Sequence, residues 1–193
     1  MEVYELIIDE TEELTGVQAV SLVSDPAIES DWITLSKQKP LKLALVDEDK
    51  QILMGAALIP NKPIYRKGEN DEEYHIFFSS KTVRKASELF LKNGFQNETT
   101  LEHQMPLKGN TIIESWIVED KEKDKTALHG IDAPVGSWMI SMKITDKDVW
   151  SLAKAGEIKG FSIEAYFADK LTMQSKQINV DELLKEILSI NVN

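Results

Sequence analysis

The segment Gly160-Phe161-Ser162-Ile163-Glu164-Ala165-Tyr166-Phe167 carries the clearest structural signal in this sequence. Apolar residues alternate with Ser162 and Glu164 along it, and this period of two is typical of a strand with one buried face. The serine is therefore expected on a rigid element, facing away from the core, with Glu164 on the same side. The arrangement indicates a candidate nucleophile beside a carboxylate. The alternative is the polar outer face of an ordinary strand.

The composition limits the classes of protein to which the chain can belong. Its 193 residues are 42% hydrophobic and 28% charged, which is typical of a globular domain with a buried core. The net charge of −11 argues against binding to nucleic acid or to an anionic membrane, since both need a basic surface. Apolar runs such as 52–60 are shorter than the roughly 18 residues of a membrane span. The acidic start of the sequence also lacks the layout of a signal peptide.

Cysteine and histidine content restricts the available chemistry. No cysteine is present, which excludes disulfides and thiol nucleophiles. A serine nucleophile needs a base, and only His75, His103 and His129 are available. His75 lies in an apolar strand pattern and His129 follows a charged loop, which favours a buried and a solvated residue respectively. His103 lies at a strand edge ahead of a turn, where functional groups are often held, but chemistry alone does not select it.

Metal and cofactor binding are not expected from the sequence. The histidines lack the spacing of metal ligands, and no HExxH pattern is present. The glycine-rich loops that bind phosphates, GxxxxGK[ST] and GxGxxG, are also absent. We therefore predict that neither a metal nor an organic cofactor takes part in the function.

The remaining periodicity predicts a mixed α+β fold. Helices are predicted from Ser79 or Ser80 to Gly94, and from Thr145 or Asp146 to Gly156. A last helix is predicted at about 180–189. Strands are predicted near 3–8, 17–23, 42–46, 51–59, 74–78, 112–118, 137–144 and 160–167, with 42–46 and 51–59 forming a hairpin.

These patterns divide the chain into three regions. Residues 1–40 are predicted to be an N-terminal segment, extended or propeptide-like, that ends in the polar linker Gln38-Lys39-Pro40. Residues 41–175 are predicted to form the core domain. Residues 176–193 are predicted to contain the C-terminal helix, whose apolar stripe favours packing on the core over docking to a partner.

Several blocks of the sequence together resemble the phage prohead serine proteases, which act in procapsid maturation, and in particular their XkdF-like branch. The blocks span roughly residues 17–167, so the resemblance covers most of the chain, and their combination in this order is specific. They are VSLVSDPAI (20–28), TLEH (100–103), IESWIVED (113–120), GSWM (136–139), DVW (148–150), GE (156–157) and GFSIE (160–164).

The resemblance implies a herpesvirus-assemblin-like protease fold, with a β-barrel-like core and flanking helices. In this family a histidine precedes a serine that lies in a Gly-x-Ser strand motif, so Ser162 matches the nucleophile and His103 the general base. The herpesvirus relatives use a second, late histidine, but no histidine follows His129 here. A carboxylate is expected in its place. Glu114, on the strand after His103, is the first choice, and Glu164 is the alternative.

The function implied by the resemblance is a serine endopeptidase that cleaves scaffold and capsid-protein segments, and also itself, during procapsid maturation. It would act in the host cytoplasm, inside the procapsid, and would not be secreted. Scaffold and major capsid proteins are the expected partners, while a portal protein and a homo-oligomer are left open. No nucleic acid or membrane partner is expected. The alternative is a non-catalytic phage assembly protein that retains the fold and binds capsid, scaffold or portal proteins.

Overall fold

The computed structural model describes residues 2–9, 15–26, 44–47, 50–68 and 70–166. The helices in these ranges are α1 (Ser80–Lys92), α2 (Lys125–Leu128) and α3 (Lys147–Ala155), with a short 3₁₀ turn at Phe95–Asn97. The strands are β1 (Glu2–Glu5), β2 (Gly16–Val23), β3 (Ala44–Asp47), β4 (Ile52–Leu58), β5 (Ile64–Lys67), β6 (Glu73–Phe77), β7 (Thr99–Leu101), β8 (Met105–Leu107), β9 (Thr111–Ile117), β10 (Trp138–Lys143) and β11 (Gly160–Tyr166).

The described strands form three sheets, with the orders β1-β6-β5, β3-β4-β10-β9 and β11-β2-β7-β8. β1 is parallel to β6 and β2 is parallel to β7, whereas β3 and β4 form the predicted antiparallel hairpin. The α+β class is thus confirmed, with mostly sheet and few helices. Within the described ranges the sheets do not close into a barrel, and the assemblin-like core stays a prediction.

The main hydrophobic core joins residues of all three sheets with α1 and α3. β10 is buried on both faces, because Trp138 and Ile140 lie in this core while Met139 packs with Met54 and Val118 in a second cluster. All five side chains are essentially inaccessible to solvent. Burying a large apolar side chain contributes roughly 1.5–3 kcal/mol, so this central strand is a main source of the fold's stability.

The two longer helices begin and end where the sequence predicts. Ser79 caps α1 by accepting a hydrogen bond from the Thr82 N–H at 3.3 Å, and Asp146 caps α3 in the same way. Gly94 and Gly156 follow these helices with φ angles of 79° and 74°, a conformation that glycine adopts without steric cost. None of the helices described by the structure is long and apolar enough to cross a membrane.

Some features differ from the sequence prediction, and some predicted features fall outside the residues that the structure describes. The charged segment before His129 is predicted as a loop, but its end is helical: α2 begins at Lys125, and the capping residue Asp124 accepts a hydrogen bond from the Thr126 N–H at 2.9 Å. A helix of one turn has too few residues for an apolar period, so the pattern misses it. The predicted linker 38–40 and helix 180–189 lie outside the described residues. β1 and β2, from the predicted N-terminal segment, pair with β6 and with β7 and β11, and the boundary at residue 40 stays a prediction.

Candidate active site

Ser162 lies at one end of a row of hydroxyl groups that crosses a sheet. β2 is placed between β11 and β7, and its Ser21 is in register with Ser162 on one side and Thr100 on the other. Neighbouring strands are about 4.8 Å apart, so the row spans about 10 Å. The opposite face of these strands carries Phe161 and Leu22, which are 1% and 0% exposed and belong to the main core. Ser162 therefore lies on the face of the sheet opposite Phe161, and it is itself only 8% exposed.

His103 lies at the tip of the hairpin formed by β7 and β8, in a turn of unusual conformation. Glu102 and His103 have φ angles of 51° and 56°, in the left-handed region that is costly for residues other than glycine. The turn is closed by Gln104, whose N–H donates to the carbonyl oxygen of Leu101 at 3.1 Å. Such conformations persist where surrounding contacts over-determine them, and they concentrate at functional sites.

Three hydrogen bonds anchor this turn to the end of β2. The His103 N–H donates to Ser21 Oγ at 2.9 Å, and the Glu102 N–H donates to the carbonyl oxygen of Leu22 at 3.0 Å. The Glu102 carboxylate accepts a hydrogen bond from the Ser24 N–H at 2.7 Å. Because Ser21 is also the strand partner of the candidate nucleophile, β2 joins the candidate base to that nucleophile.

The imidazole of His103 faces a carboxylate. Its Nδ1 is 3.4 Å from Glu164 Oε1, and the same oxygen accepts a hydrogen bond from the Thr100 hydroxyl. The side chains of His103 and Glu164 are 42% and 33% exposed, so the pair is open to solvent on one side. A carboxylate beside Nδ1 is the arrangement that orients the base in a serine–histidine pair.

The candidate nucleophile Ser162 and the candidate base His103 are not joined by a hydrogen bond. Among the described residues there is no hydrogen bond between Ser162 Oγ and the His103 ring, and Ser162 is 8% exposed. In free enzymes such catalytic hydrogen bonds are often long and tighten when substrate binds. The site thus contains a serine, a histidine and a carboxylate on one sheet, with the histidine–carboxylate contact already formed.

Glu114, the first choice for the third member, lies in a different sheet. It is on β9, opposite Ser141 of β10, and it forms an ion pair with Lys125 at the start of α2. The hydrogen bond from the Lys125 ammonium holds the pKa of Glu114 below its usual range. The carboxylate in contact with His103 is Glu164, the alternative from the sequence.

The other two histidines lie away from this sheet. His75 is on β6 and is 3% exposed, which confirms the predicted buried strand residue. Its burial lowers the pKa of the imidazole. His129 follows α2 and is partly buried, where the sequence favours a solvated residue. In the part of the chain that the structure describes, no group of three or more histidine, aspartate or glutamate side chains is arranged to hold a metal ion.

Sequence reasoning did not assign a role to Ser21 or Thr100. Both lie in blocks of the family resemblance, but neither block indicates that β2 inserts between β7 and β11. This arrangement pairs β2 with segments about 80 and 140 residues away, and nothing in the local pattern encodes it. The available signal was weak: each is a hydroxyl residue next to apolar neighbours in a strand pattern.

A comparison with protein families matches most of the chain. Residues 41–171 match the model of the family described as "Putative phage serine protease XkdF". The match covers more than half of the chain and includes His103, Ser162 and Glu164. The chain belongs to this family, which confirms the resemblance seen in the sequence at the level of the family. No curated protein and no solved structure matches the chain.

Proposed function

We propose that the protein is a serine endopeptidase of phage procapsid maturation, with Ser162 as nucleophile and His103 as general base. The proposal rests on two contacts that His103 makes. Its ring meets Glu164 at 3.4 Å, and its N–H meets Ser21, the strand partner of the nucleophile, at 2.9 Å. Nucleophilic catalysis requires a base that is oriented by a third group and lies within reach of the nucleophile, and the contact with Glu164 supports the first of these conditions. Membership of a phage serine protease family supports the same chemistry.

In the proposed reaction, Ser162 Oγ attacks the carbonyl carbon of a peptide bond while His103 Nε2 takes the hydroxyl proton. The tetrahedral intermediate collapses, the C–N bond breaks, and the imidazolium gives the proton to the leaving amine. Water then attacks the ester, with His103 as its base, and the serine is released. Glu164 holds the ring in the required tautomer and stabilises the imidazolium by its charge.

We assign the third role to Glu164 and not to Glu114. A carboxylate orients a base only when it contacts the imidazole, and Glu164 has that contact with His103. The carboxylate of Glu114 forms an ion pair with Lys125. This ion pair would have to break before Glu114 could contact a histidine.

The proposed substrates are scaffold and capsid-protein segments and the chain's own termini. The proposed place of action is the procapsid, in the host cytoplasm. The relationship to the herpesvirus assemblins belongs to the same proposal. It is supported by a serine in a Gly-x-Ser strand with a histidine earlier in the chain.

Co-expression with the phage's scaffold and major capsid proteins tests the proposal when the products are read by intact mass. Wild type and the control Ser141→Ala are expected to produce new termini, whereas Ser162→Ala and His103→Ala are expected to produce none. Ser141 is a suitable control because it is a fully buried serine of the other sheet. If the scaffold and capsid proteins stay uncleaved in all four cultures although shells have assembled, the proposal of an endopeptidase is contradicted.

A non-catalytic assembly protein is the second candidate. It is favoured by the low exposure of Ser162 and by the lack, among the described contacts, of a hydrogen bond from its hydroxyl to His103. Such a protein would bind capsid, scaffold or portal proteins through the same fold. It predicts co-purification with one of these proteins, unchanged by Ser162→Ala and His103→Ala, and no new termini in any culture.

A further inference from the structure

A groove with a volume of about 260 Å³ lies beside the candidate nucleophile. β4, β5, β6 and β11 contribute to its walls, and Ser162 and Ile163 of β11 lie on one side. Most of the lining is apolar and includes Leu58, Ile76 and Phe78. Small-molecule sites are typically larger, at roughly 300–1,000 Å³, so the groove suits one or two side chains of a peptide better than a cofactor.

Arg66 is the charged side chain among the described residues that line this groove. It is on β5, two residues after the buried Ile64, so both side chains lie on the inward face of the strand. Its Nη1 donates to the carbonyl oxygen of Tyr65 at 2.9 Å, and in the described part of the chain no carboxylate forms an ion pair with it. Burial lowers the pKa of Arg66, as expected for a cation that is partly removed from water without a compensating anion.

Two strand edges border the same groove. Within the described sheets, β11 and β5 are both outer strands, and both contribute lining residues. An outer strand presents unpaired N–H and C=O groups, to which an extended peptide can add as a further strand. A peptide placed along β11 runs past Ser162, because the nucleophile is part of that strand.

We propose that this groove binds the substrate as an extended peptide and that Arg66 pairs with a carboxylate side chain of that peptide. The inference rests on the proposed endopeptidase and names its substrate class, a chain segment with Asp or Glu among apolar residues near the cleaved bond. The net charge of −11 repels acidic peptides from the protein in general, so their binding depends on a cation at a particular place. In a partly desolvated groove a guanidinium–carboxylate pair is stronger than on the surface.

Binding of matched peptides to the full-length Ser162→Ala protein tests the inference without turnover. The probes are capped heptapeptides of alanine and leucine that differ only in a central Glu, Gln or Lys. Titrations followed by NMR, at the Arg66 side-chain Nε–H and the Ile163 amide, are expected to give binding of the Glu peptide about tenfold tighter than that of the Gln peptide. The difference is expected to shrink as salt is added. Equal affinities, or no binding of any peptide at millimolar concentration, would overturn the inference.

Variants of Arg66 sharpen the test. Arg66→Met keeps the apolar stem and removes the charge, so the preference for the Glu peptide is expected to disappear. Arg66→Glu is expected to prefer the Lys peptide. Arg84→Gln is the matched control, because Arg84 is 53% exposed and pairs with Glu119 on the surface, and it is expected to keep the wild-type preference. A Glu preference that survives in Arg66→Met would overturn the role of Arg66, and self-association abolished by Arg66→Met would make a second copy of the chain the occupant instead.

Labelling of wild-type Ser162 by a fluorophosphonate separates this inference from the proposed function. Labelling without a Glu preference leaves the endopeptidase standing and rejects the groove as an acidic-peptide site. A Glu preference without labelling supports the groove as a peptide-binding site and rejects the serine enzyme.

Discussion

Two regions of the molecule hold a serine, a histidine and a glutamate, and they differ in how these groups are connected. The first region contains Ser162, His103 and Glu164, and the second contains Ser141, His129 and Glu114. In the first region the carboxylate contacts the imidazole. In the second it pairs with the ammonium of Lys125, and the serine is fully buried. The same residue types therefore form a candidate catalytic site in one place and a structural cluster in the other.

In the second region, the contacts of Glu114 and its neighbours join α2 to β9. Lys125 holds Glu114 and also lies 5.5 Å from the centre of the Trp116 ring. The indole N–H of Trp116 donates to Asp124, the capping residue of α2, at 3.1 Å. These contacts hold the one-turn helix α2 against β9. In the first region the corresponding contacts hold the turn that carries His103.

The largest difference between the two regions is expected when their serines are replaced by alanine. Ser162→Ala removes the proposed nucleophile and is expected to lower kcat by about 10³-fold or more. Ser141→Ala is expected to retain activity close to wild type. Formation of new termini by intact mass, together with fluorophosphonate labelling, measures both. Wild-type rates in Ser162→Ala would remove the distinction between the regions.

The two glutamates give the next contrast. Glu164→Gln keeps the size of the side chain but loses the charge that stabilises the imidazolium, so kcat is expected to fall by about 10²-fold or more. Glu114→Gln is expected to leave kcat near the wild-type value, because its partner is Lys125. Cleavage rates of the two variants measure this. A greater loss in Glu114→Gln would restore Glu114 as the third member.

A smaller effect is expected at Ser21, which positions the turn rather than contacting the substrate. Ser21→Ala removes the acceptor of the His103 N–H and is expected to lower kcat about tenfold with KM unchanged. Ser21→Thr keeps a hydroxyl and is expected to restore most of the rate. Hydrogen exchange at the His103 amide is expected to accelerate in Ser21→Ala but not in the control Ser151→Ala, because Ser151 is an exposed residue of α3 whose hydroxyl donates within that helix. Unchanged exchange and kcat in Ser21→Ala would show that the turn needs no such anchor.

The smallest expected effect concerns stability in acid. Because Lys125 depresses the pKa of Glu114 in the folded state, the ion pair stabilises the fold above the unfolded pKa, near 4.5. This contribution is lost as the pH falls through the folded pKa. The Glu114 side chain is 44% exposed, so the contribution is below about 1 kcal/mol. Urea unfolding of wild type and Glu114→Gln from pH 7 downward measures it, and a difference that grows in acid would contradict the sign.

Local patterns in the sequence were sufficient for much of the fold. Capping by Ser79 and Asp146, and glycines 94 and 156 after the helices, depend on neighbouring residues only, so they can be read directly. The same holds for the paired strands β3 and β4, whereas the predicted alternation along β11 is interrupted by a register shift between Glu164 and Ala165. These features involve residues within about one turn or one hairpin of each other.

Long-range pairing could not be predicted. The position of β2 decides that Ser21 lies between Ser162 and the turn of His103, and no local pattern specifies a parallel partner. For the same reason the choice between Glu114 and Glu164 could not be made from the strand pattern, because each shares a strand face with a plausible partner. Arg66 was missed since a single arginine in a short strand looks like an ordinary surface residue until its neighbours are known.

The order of the strands makes the site a late product of synthesis and folding. β2 comes from the beginning of the chain, the His103 hairpin from its middle, and β11 is the last described strand. Contacts between such distant segments close long loops and form slowly. A nascent chain that lacks β11 has no Ser162 to place beside Ser21, so the candidate site is still incomplete. The topology thus delays assembly of the candidate site until translation has passed β11.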